Sequence, residues 1–177
     1  MSASSDRFRT FEALGDAIPF VDRILGLIEH ITVFSDFDRV EIAALAHYMR
    51  CYRAPAGIEV IVEEEPGDFM LLLIDGTMEI VKKDYRGLPV RIADANPGKT
   101  LGEMSVIDGE PRFASCVTLT EVVFAVLDRE QLTKVLADKP HMGVKLLMQM
   151  LVLLNQRLRN VSVQFMKCLD ENRRPQD

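Results

Sequence analysis

Tryptophan is absent from this chain, and cysteine and histidine are scarce, with three residues of each among 177. The cysteines, Cys51, Cys116 and Cys168, lie far apart and show no metal-ligand spacing. No secretory signal peptide is recognisable at the N-terminus. We therefore expect reduced thiols, no metal site and a cytoplasmic location rather than a disulfide framework.

Basic residues are also fewer than acidic ones. The chain has 21 Lys and Arg and 27 Asp and Glu, which gives a net charge of −6 and a pI of about 5.1. Nucleic acids and anionic membranes bind basic faces, so neither is an expected partner, although one local basic pocket is still allowed.

Long apolar runs are lacking as well. The longest, residues 146–154, contains Gln149 and falls short of the roughly 20 residues that span a bilayer, so we expect no membrane insertion.

Short strand-like runs separated by Pro, Gly and Asp fill the middle of the chain. They lie at residues 49–52, 59–62, 69–74, 77–82, 90–93, 115–119 and 122–127. Many short strands with regular turn signals predict an all-β sandwich or barrel. Asp75-Gly76, between two of these runs, predicts a β-hairpin.

Helical periodicity flanks the strands. Apolar spacing predicts an amphipathic helix over about residues 6–17 and a second helix up to about His30. Asp38 with Glu41, and Asp128 with Gln131, have the spacing of helix N-caps. A last helix from Pro140 is apolar nearly all round its middle, so it must be buried on more than one side. We expect it to cover the barrel and to form a homodimer or other homo-oligomer.

The stretch 101–115, LGEMSVIDGEPRFAS, places an acid and a base in a loop rich in turn residues. Glu103 has two interpretations, a surface carboxylate or an acceptor for ligand hydroxyl groups. Arg112 likewise forms either a local salt bridge or a bidentate contact with a phosphate. The amides that follow Gly102 suit an anion. The loop alone leaves these alternatives open.

This stretch resembles the phosphate-binding cassette of cyclic nucleotide-binding domains, as in catabolite activator proteins and the regulatory subunits of cyclic-AMP-dependent kinases. Residues 101–105 (LGEMS) and 111–114 (PRFA) stand where that family has its cassette motifs. Further similarity lies at Val33-Phe34-Ser35, Pro55-Ala56-Gly57 and from Pro66-Gly67-Asp68 to Asp75-Gly76. The resemblance implies a mainly β fold, an eight-stranded jelly-roll barrel with N-terminal helices and a long C-terminal helix. It divides the chain into an N-terminal helical segment (1–32), the nucleotide-binding domain (33–165) and a polar tail (166–177).

By this resemblance, Arg112 neutralises the cyclic phosphate and Glu103 binds the ribose 2′-hydroxyl. The expected ligand-binding residues are Leu101, Gly102, Glu103, Met104, Arg112, Phe113 and Ala114. The C-terminal helix closes over the purine as a lid, with Arg157, Asn160 or Ser162 as candidate base contacts. Ligand binding would then signal through a dimer or an effector protein.

The sequence departs from the family pattern at two positions. Phe113 replaces a usual Ser, Thr or Ala, which favours cyclic AMP over cyclic GMP or weakens the site, and Glu64 stands where a turn glycine is common. We also expect no DNA-binding domain, because little chain follows Arg159.

Two other functional classes compete with a nucleotide sensor. One is a dimerisation or scaffold module of the same fold with an empty pocket, in which Phe113 fills the phosphate subsite. The other is an enzyme, which the sequence disfavours. His30, His47 and His141 all fall in predicted helices, so they cannot form a metal cluster inside a barrel.

Overall fold

The computed structural model describes residues 8–173, with side chains to residue 171. Within this range the strands are β1 Glu12–Asp16, β2 Arg50–Ala54, β3 Glu59–Ile61, β4 Phe69–Asp75, β5 Met78–Lys83, β6 Pro89–Ala95, β7 Thr100–Leu101, β8 Ser115–Thr118 and β9 Val122–Asp128. The α-helices are α1 Val21–Gly26, α2 Arg39–Ala46, α3 Glu103–Asp108, α4 Arg129–Asp138 and α5 Pro140–Arg173. Short 3₁₀ turns occupy Phe8–Thr10, Ile18–Phe20, Ile28–His30 and Thr32–Phe34.

The strands form two antiparallel sheets, one ordered β1-β2-β9-β4-β7 and the other β3-β8-β5-β6. Strands β2 to β9 are the eight strands that the jelly-roll prediction requires, and α5 is the predicted long C-terminal helix. All seven predicted runs became strands, whereas the two-residue β7 was not predicted.

The helix predicted over residues 6–17 is wrong where the structure describes it, since residues 8–16 form a 3₁₀ turn and β1. Residues 6 and 7 lie outside the described part. Gly15 adopts φ 89, which no α-helix accommodates, and β1 pairs with β2 through a bulge. The helix-like spacing has another origin, because Phe11 packs inside the barrel while Leu14 packs on the helical layer outside it.

The hairpin predicted at Asp75-Gly76 is also wrong. Strand β4 pairs with β7 and β9, and β5 pairs with β6 and β8 in the other sheet. The turn therefore carries the chain between sheets. Gly76 is required there because its φ is 78 and a Cβ would lie 2.2 Å from the Glu121 carbonyl oxygen.

Both predicted helix caps are confirmed. Asp38 accepts a hydrogen bond from the Glu41 amide and the Glu41 carboxylate accepts one from the Asp38 amide, which is a complete capping box. The Asp128 carboxylate accepts from the Gln131 amide at 2.7 Å. This second cap starts α4 directly after β9, so the helix begins at a fixed point on the sheet.

Strand β4 joins the two parts of the core. Its residues alternate, with Phe69, Leu71 and Leu73 inside the barrel and Met70, Leu72 and Ile74 against the helices. Its continuous apolar sequence follows from burial on both faces.

The first half of α5 is fixed to this helical layer. Leu146, Met150 and Leu153 are buried, and Lys145 pairs with Glu41 at 2.6 Å. The Gln149 amide also donates to the Asp36 carboxylate. Beyond Leu154, the described side chains of α5 are exposed except those of Arg157 and Leu169, which are half-buried. Among the described residues, no helix combines the length and apolarity needed to cross a membrane.

Candidate functional site

The stretch 101–115 folds as a short helix, α3, between β7 and β8. Gly102 precedes α3 at φ 82 and Gly109 follows it at φ 79, so a glycine in the left-handed region bounds each end. A Cβ on Gly102 would lie 2.6 Å from the Arg112 Nη1 and 3.0 Å from the Phe69 carbonyl oxygen. Gly102 thus permits the close approach of α3, β4 and Arg112.

Glu103 opens α3 with only 1% of its surface exposed. Its Oε1 lies 2.7 Å from Arg157 Nη1 on α5 and accepts a long hydrogen bond, 3.4 Å, from the Thr100 hydroxyl. Burial raises the pKa of the Glu103 carboxyl above its ordinary value, and the positive charges of Arg157 and Arg112 only partly offset that effect. Glu103 is therefore a desolvated carboxylate that needs a partner.

Arg112 is also buried, at 4% exposure. Its Nη1 donates to the Gly102 carbonyl oxygen at 2.9 Å, and its guanidinium lies 4.2 Å from the centre of the Phe69 ring. The side chain passes so close to Gly67 that a Cβ there would lie 2.1 Å from Nε. These contacts fix the direction of the guanidinium.

The loop between β3 and β4 holds the backbone of Arg112. The Arg112 amide donates to the Glu65 carbonyl oxygen at 2.9 Å, and the Glu64 amide donates to the Arg112 carbonyl oxygen at 2.9 Å. Glu64 adopts φ 66, a left-handed conformation that favours glycine, so the turn is locally strained by a residue with a side chain. Gly67 and this loop were not predicted as parts of the site, although the Pro66-Gly67-Asp68 turn signal marked their location.

One pocket gathers all seven ligand-binding residues predicted from the sequence. It is lined by Leu101, Gly102, Glu103, Met104, Arg112, Phe113 and Ala114 together with Ile61, Ile80, Ser105, Cys116 and Arg157. Burial raises the pKa of the Cys116 thiol to about 12, so this residue is an apolar wall rather than a nucleophile. The cavity is about 90 Å³, smaller than the roughly 300–1,000 Å³ of typical ligand pockets. A ligand of nucleotide size does not fit wholly inside this volume.

The three lid candidates differ in this structure. Arg157 lines the pocket, and its Nη2 also donates to the Thr100 carbonyl oxygen at 2.9 Å. Asn160 and Ser162 are exposed, and the Ser162 hydroxyl donates to the Leu158 carbonyl oxygen of its own helix at 2.9 Å. Of the three, only Arg157 borders the pocket here.

Phe113 lies at the rim and does not fill the pocket, since 59% of its surface is exposed. The Lys82 ammonium group lies 4.2 Å from the ring centre and donates to the Phe113 carbonyl oxygen at 2.7 Å. Lys82 also pairs with the buried Glu63 carboxylate at 2.8 Å. This network holds an aromatic ring at the entrance.

A buried acid and a buried base facing one small pocket suit a ligand that has both an anionic group and hydroxyl groups. Among the described residues, no group of three His, Cys, Asp or Glu side chains is placed to hold a metal ion.

Comparisons with known proteins agree with this chemistry. Residues 52–139 match the family described as cyclic nucleotide-binding domain. The crystal structure of a cyclic nucleotide-binding domain from Methylobacillus flagellatus KT superposes with a TM-score of 0.81 at 37% identity, covering 89% of this chain and 88% of that one.

Two curated relatives are similar over part of their length. The CRP-like cAMP-activated global transcriptional regulator of Mycobacterium tuberculosis is 32% identical over 73% of this chain and 56% of its own. The cAMP-dependent protein kinase regulatory subunit of Aspergillus fumigatus is 35% identical over 62% of this chain and 26% of its own. The chain thus spans about half of the regulator and a quarter of the kinase subunit. It belongs to the family of cyclic nucleotide-binding domains, which regulate through ligand binding and are not catalytic.

Proposed function

We propose that this chain is a sensor for a cyclic nucleotide, with cyclic AMP preferred to cyclic GMP. The observation that carries the proposal is that a buried carboxylate, Glu103, and a buried guanidinium, Arg112, both line one pocket. The two curated relatives are named for cyclic AMP activation or dependence, which supports the same ligand class.

In this proposal each charge has one task. Arg112 binds the cyclic phosphate with its planar fork, in a site where burial strengthens a charge-assisted hydrogen bond. Glu103 accepts a hydrogen bond from the ribose 2′-hydroxyl. The amides at the start of α3 and the backbone near Ala114 face the phosphate, while Leu101 and Met104 supply apolar contact.

The ligand signals through α5. Arg157 Nη1 lies 2.7 Å from Glu103 Oε1, and in the proposal the ribose hydroxyl takes the place of this contact. Releasing Arg157 frees the second half of α5, whose described side chains are otherwise largely exposed, to close on the purine. Binding and helix position are thereby linked, because the ligand interacts differently with the two positions of α5.

Calorimetric titration with cyclic AMP and cyclic GMP tests the proposal. We expect the wild type to bind, cyclic AMP more tightly, and both Arg112→Glu and Arg112→Lys to bind far more weakly, because neither retains the planar fork. Arg86→Glu, which changes an exposed arginine in the loop between β5 and β6, is the matched control. Indistinguishable titrations of the wild type and Arg112→Glu would rule out the proposal.

We further propose that the protein is a parallel homodimer through α5. Its outward face carries an apolar residue alternately every three and four positions, the spacing of a coiled-coil seam. These residues are Val144, Leu147, Leu151, Leu154, Leu158, Val161, Phe165 and Cys168. The spacing was present in the sequence, and most of the face is exposed in the monomer. Burying this face in a second copy is the most economical way to remove it from water.

Cys168 lies on this seam and is exposed, so mild oxidation tests the arrangement. In a parallel, in-register dimer the two Cys168 residues face each other and form a disulfide, whereas an antiparallel pair separates them. We expect a cross-linked dimer that Cys168→Ser abolishes. Sedimentation should show that Leu158→Glu dissociates the dimer while Gln156→Glu, on the opposite face, does not. A monomeric wild type would contradict this part of the proposal and leave an effector protein as the alternative partner of α5.

A cytoplasmic location is part of the same proposal. It is supported by Cys51 and Cys116, which are buried thiols that form no disulfide.

The second candidate is a dimerisation scaffold without a ligand. It is favoured by the small cavity and by Arg157, which already satisfies Glu103. Native mass spectrometry of untreated protein separates the two candidates. A co-purified nucleotide would exclude the scaffold, whereas a dimer that binds neither nucleotide would favour it.

A further inference from the structure

Arg129, the first residue of α4, reaches the far end of α3. Its Nε donates to the Val106 carbonyl oxygen at 3.0 Å and its Nη2 to the Ser105 carbonyl oxygen at 2.6 Å. Its amide donates to the Asp68 carbonyl oxygen at 2.7 Å, in the loop that also contains Gly67. The side chain lines no part of the ligand pocket, which borders the opposite end of α3.

This placement is chemically favourable. The last carbonyl groups of a helix have no partner within it, and in the six-residue α3 they are a large share of the total. The Arg129 guanidinium gives the Val106 carbonyl oxygen a donor and adds a second donor to the Ser105 carbonyl oxygen, which also accepts from the Gly109 amide at 3.0 Å. Its positive charge opposes the negative end of the helix dipole. Gly109 makes room, because a Cβ at that position would lie 3.1 Å from the Arg129 Nη1.

The contacts connect three helices in a ring. Arg129 joins α3 to α4, and α4 packs closely on α5, where a Cβ on Gly143 would lie 2.7 Å from Leu136 Cδ2 and 3.0 Å from its Cα. From α5, Arg157 returns to Glu103 at the start of α3. Each end of α3 is therefore held by an arginine from a different helix.

We propose that Arg129 is a positioning residue that couples movement of α3 to α4 and α5. When Glu103 exchanges Arg157 for a ligand, α3 shifts, and Arg129 transmits that shift to α4 independently of Arg157. The ligand-dependent part rests on the function proposed above. The mechanical part, that α4 responds to the state of Glu103 through Arg129, does not.

Hydrogen exchange measured by mass spectrometry tests both parts in the full chain. Without ligand, Glu103→Gln perturbs the start of α3, and the exchange of the α4 amides is compared in the wild-type and Arg129→Met backgrounds. With ligand, the same amides are followed at saturating cyclic AMP. Arg129→Lys keeps the charge and is expected to respond partially. Lys134→Met is the matched control, because Lys134 pairs with Glu130 on the surface of α4.

We expect α4 exchange to change about 5-fold or more when Glu103 or the ligand state changes, in line with typical coupling factors. In Arg129→Met this change should be lost, while Lys134→Met responds like the wild type. Equal responses with and without Arg129 would overturn the inference, as would loss of the response in Lys134→Met. If the wild type binds neither nucleotide, the proposed function fails, and the comparison without ligand still decides the role of Arg129.

Discussion

Gly67 is the position where a single methyl group should disable the site. A Cβ there would lie 2.1, 2.4 and 2.6 Å from Nε, Cζ and Cδ of Arg112, well inside van der Waals contact. The Gly67 backbone is not in the left-handed region, so alanine fits the main chain. Gly67→Ala therefore acts only by displacing the Arg112 side chain.

The expected loss of stability follows from the contacts that Arg112 loses when its side chain is displaced. Its side chain is buried, so moving it breaks the hydrogen bond to the Gly102 carbonyl oxygen and the contact with the Phe69 ring. Overpacking of this kind costs about 1–3 kcal/mol of unfolding free energy. At about 2–4 °C per kcal/mol for a chain of this size, the melting temperature should fall by about 2–12 °C.

Ligand binding should suffer separately. A misdirected guanidinium loses a charge-assisted hydrogen bond worth about 1.5–3 kcal/mol, which weakens cyclic AMP binding by roughly 10- to 100-fold. Calorimetry measures the affinity, and thermal unfolding without ligand measures the stability. Gly26→Ala is the matched control, since a Cβ there meets no atom within 4 Å and should leave binding unchanged.

A Gly67→Ala variant with the stability and affinity of the wild type would contradict this prediction, because buried Arg112 would then have space that the structure does not show. Loss of stability with full affinity would refute only the assignment of Arg112 to the phosphate.

Three further predictions concern other parts of the chain. Burial raises the pKa of Glu103 above 4.5, so its stabilising contribution is complete below that pH and is lost as the pH rises through the raised pKa. Only the wild type loses this contribution, so the unfolding free energy of Glu103→Gln should rise relative to that of the wild type between about pH 4 and about pH 7. Denaturant titration at each pH measures both free energies, and a difference that does not change with pH would contradict the raised pKa of Glu103. Phe113→Thr adds a hydroxyl group at the pocket rim and should raise the affinity for cyclic GMP relative to cyclic AMP by roughly 2- to 10-fold, whereas an unchanged ratio in competition binding would exclude Phe113 from selectivity. Asp38→Ala removes the α2 capping box and should lower the unfolding free energy by about 1 kcal/mol, which lowers the melting temperature by about 2–4 °C. An unchanged melting temperature would contradict a stabilising role of this cap.

Local patterns predicted most of the fold. The strand runs and both helix caps depend on residues close in sequence, and the structure confirms them. Turn residues set the strand boundaries because they fix φ within a few positions. The cassette motifs are equally local, and residues 101–104 and 112–114, which the family resemblance assigned to one ligand site, line one pocket.

Tertiary pairing decided what local patterns could not. Asp75-Gly76 has the residues of a hairpin turn, yet the strands on either side of it, β4 and β5, pair with other strands in two different sheets. The N-terminal apolar spacing fits a helix, but Glu12–Asp16 instead pair with β2 as the strand β1 at the edge of the sheet. Gly67 stands in a turn signal and Arg129 stands in no motif, and the contacts of the two residues with Arg112 and α3 are visible only in the folded chain.

The partner of Glu103 shows why the acid and base of the cassette cannot be interpreted as a pair. Both are buried, and their proximity in sequence suggested a salt bridge as one interpretation. Arg112, however, is directed to the Gly102 carbonyl oxygen and the Phe69 ring, and the buried carboxylate takes its close cation, Arg157, from α5. A desolvated carboxylate needs a hydrogen-bond donor or a cation beside it, and in the proposed function a ligand hydroxyl takes the place of Arg157 at this carboxylate. Under that proposal the position of the C-terminal helix depends on what occupies Glu103, and the binding pocket acts as a switch.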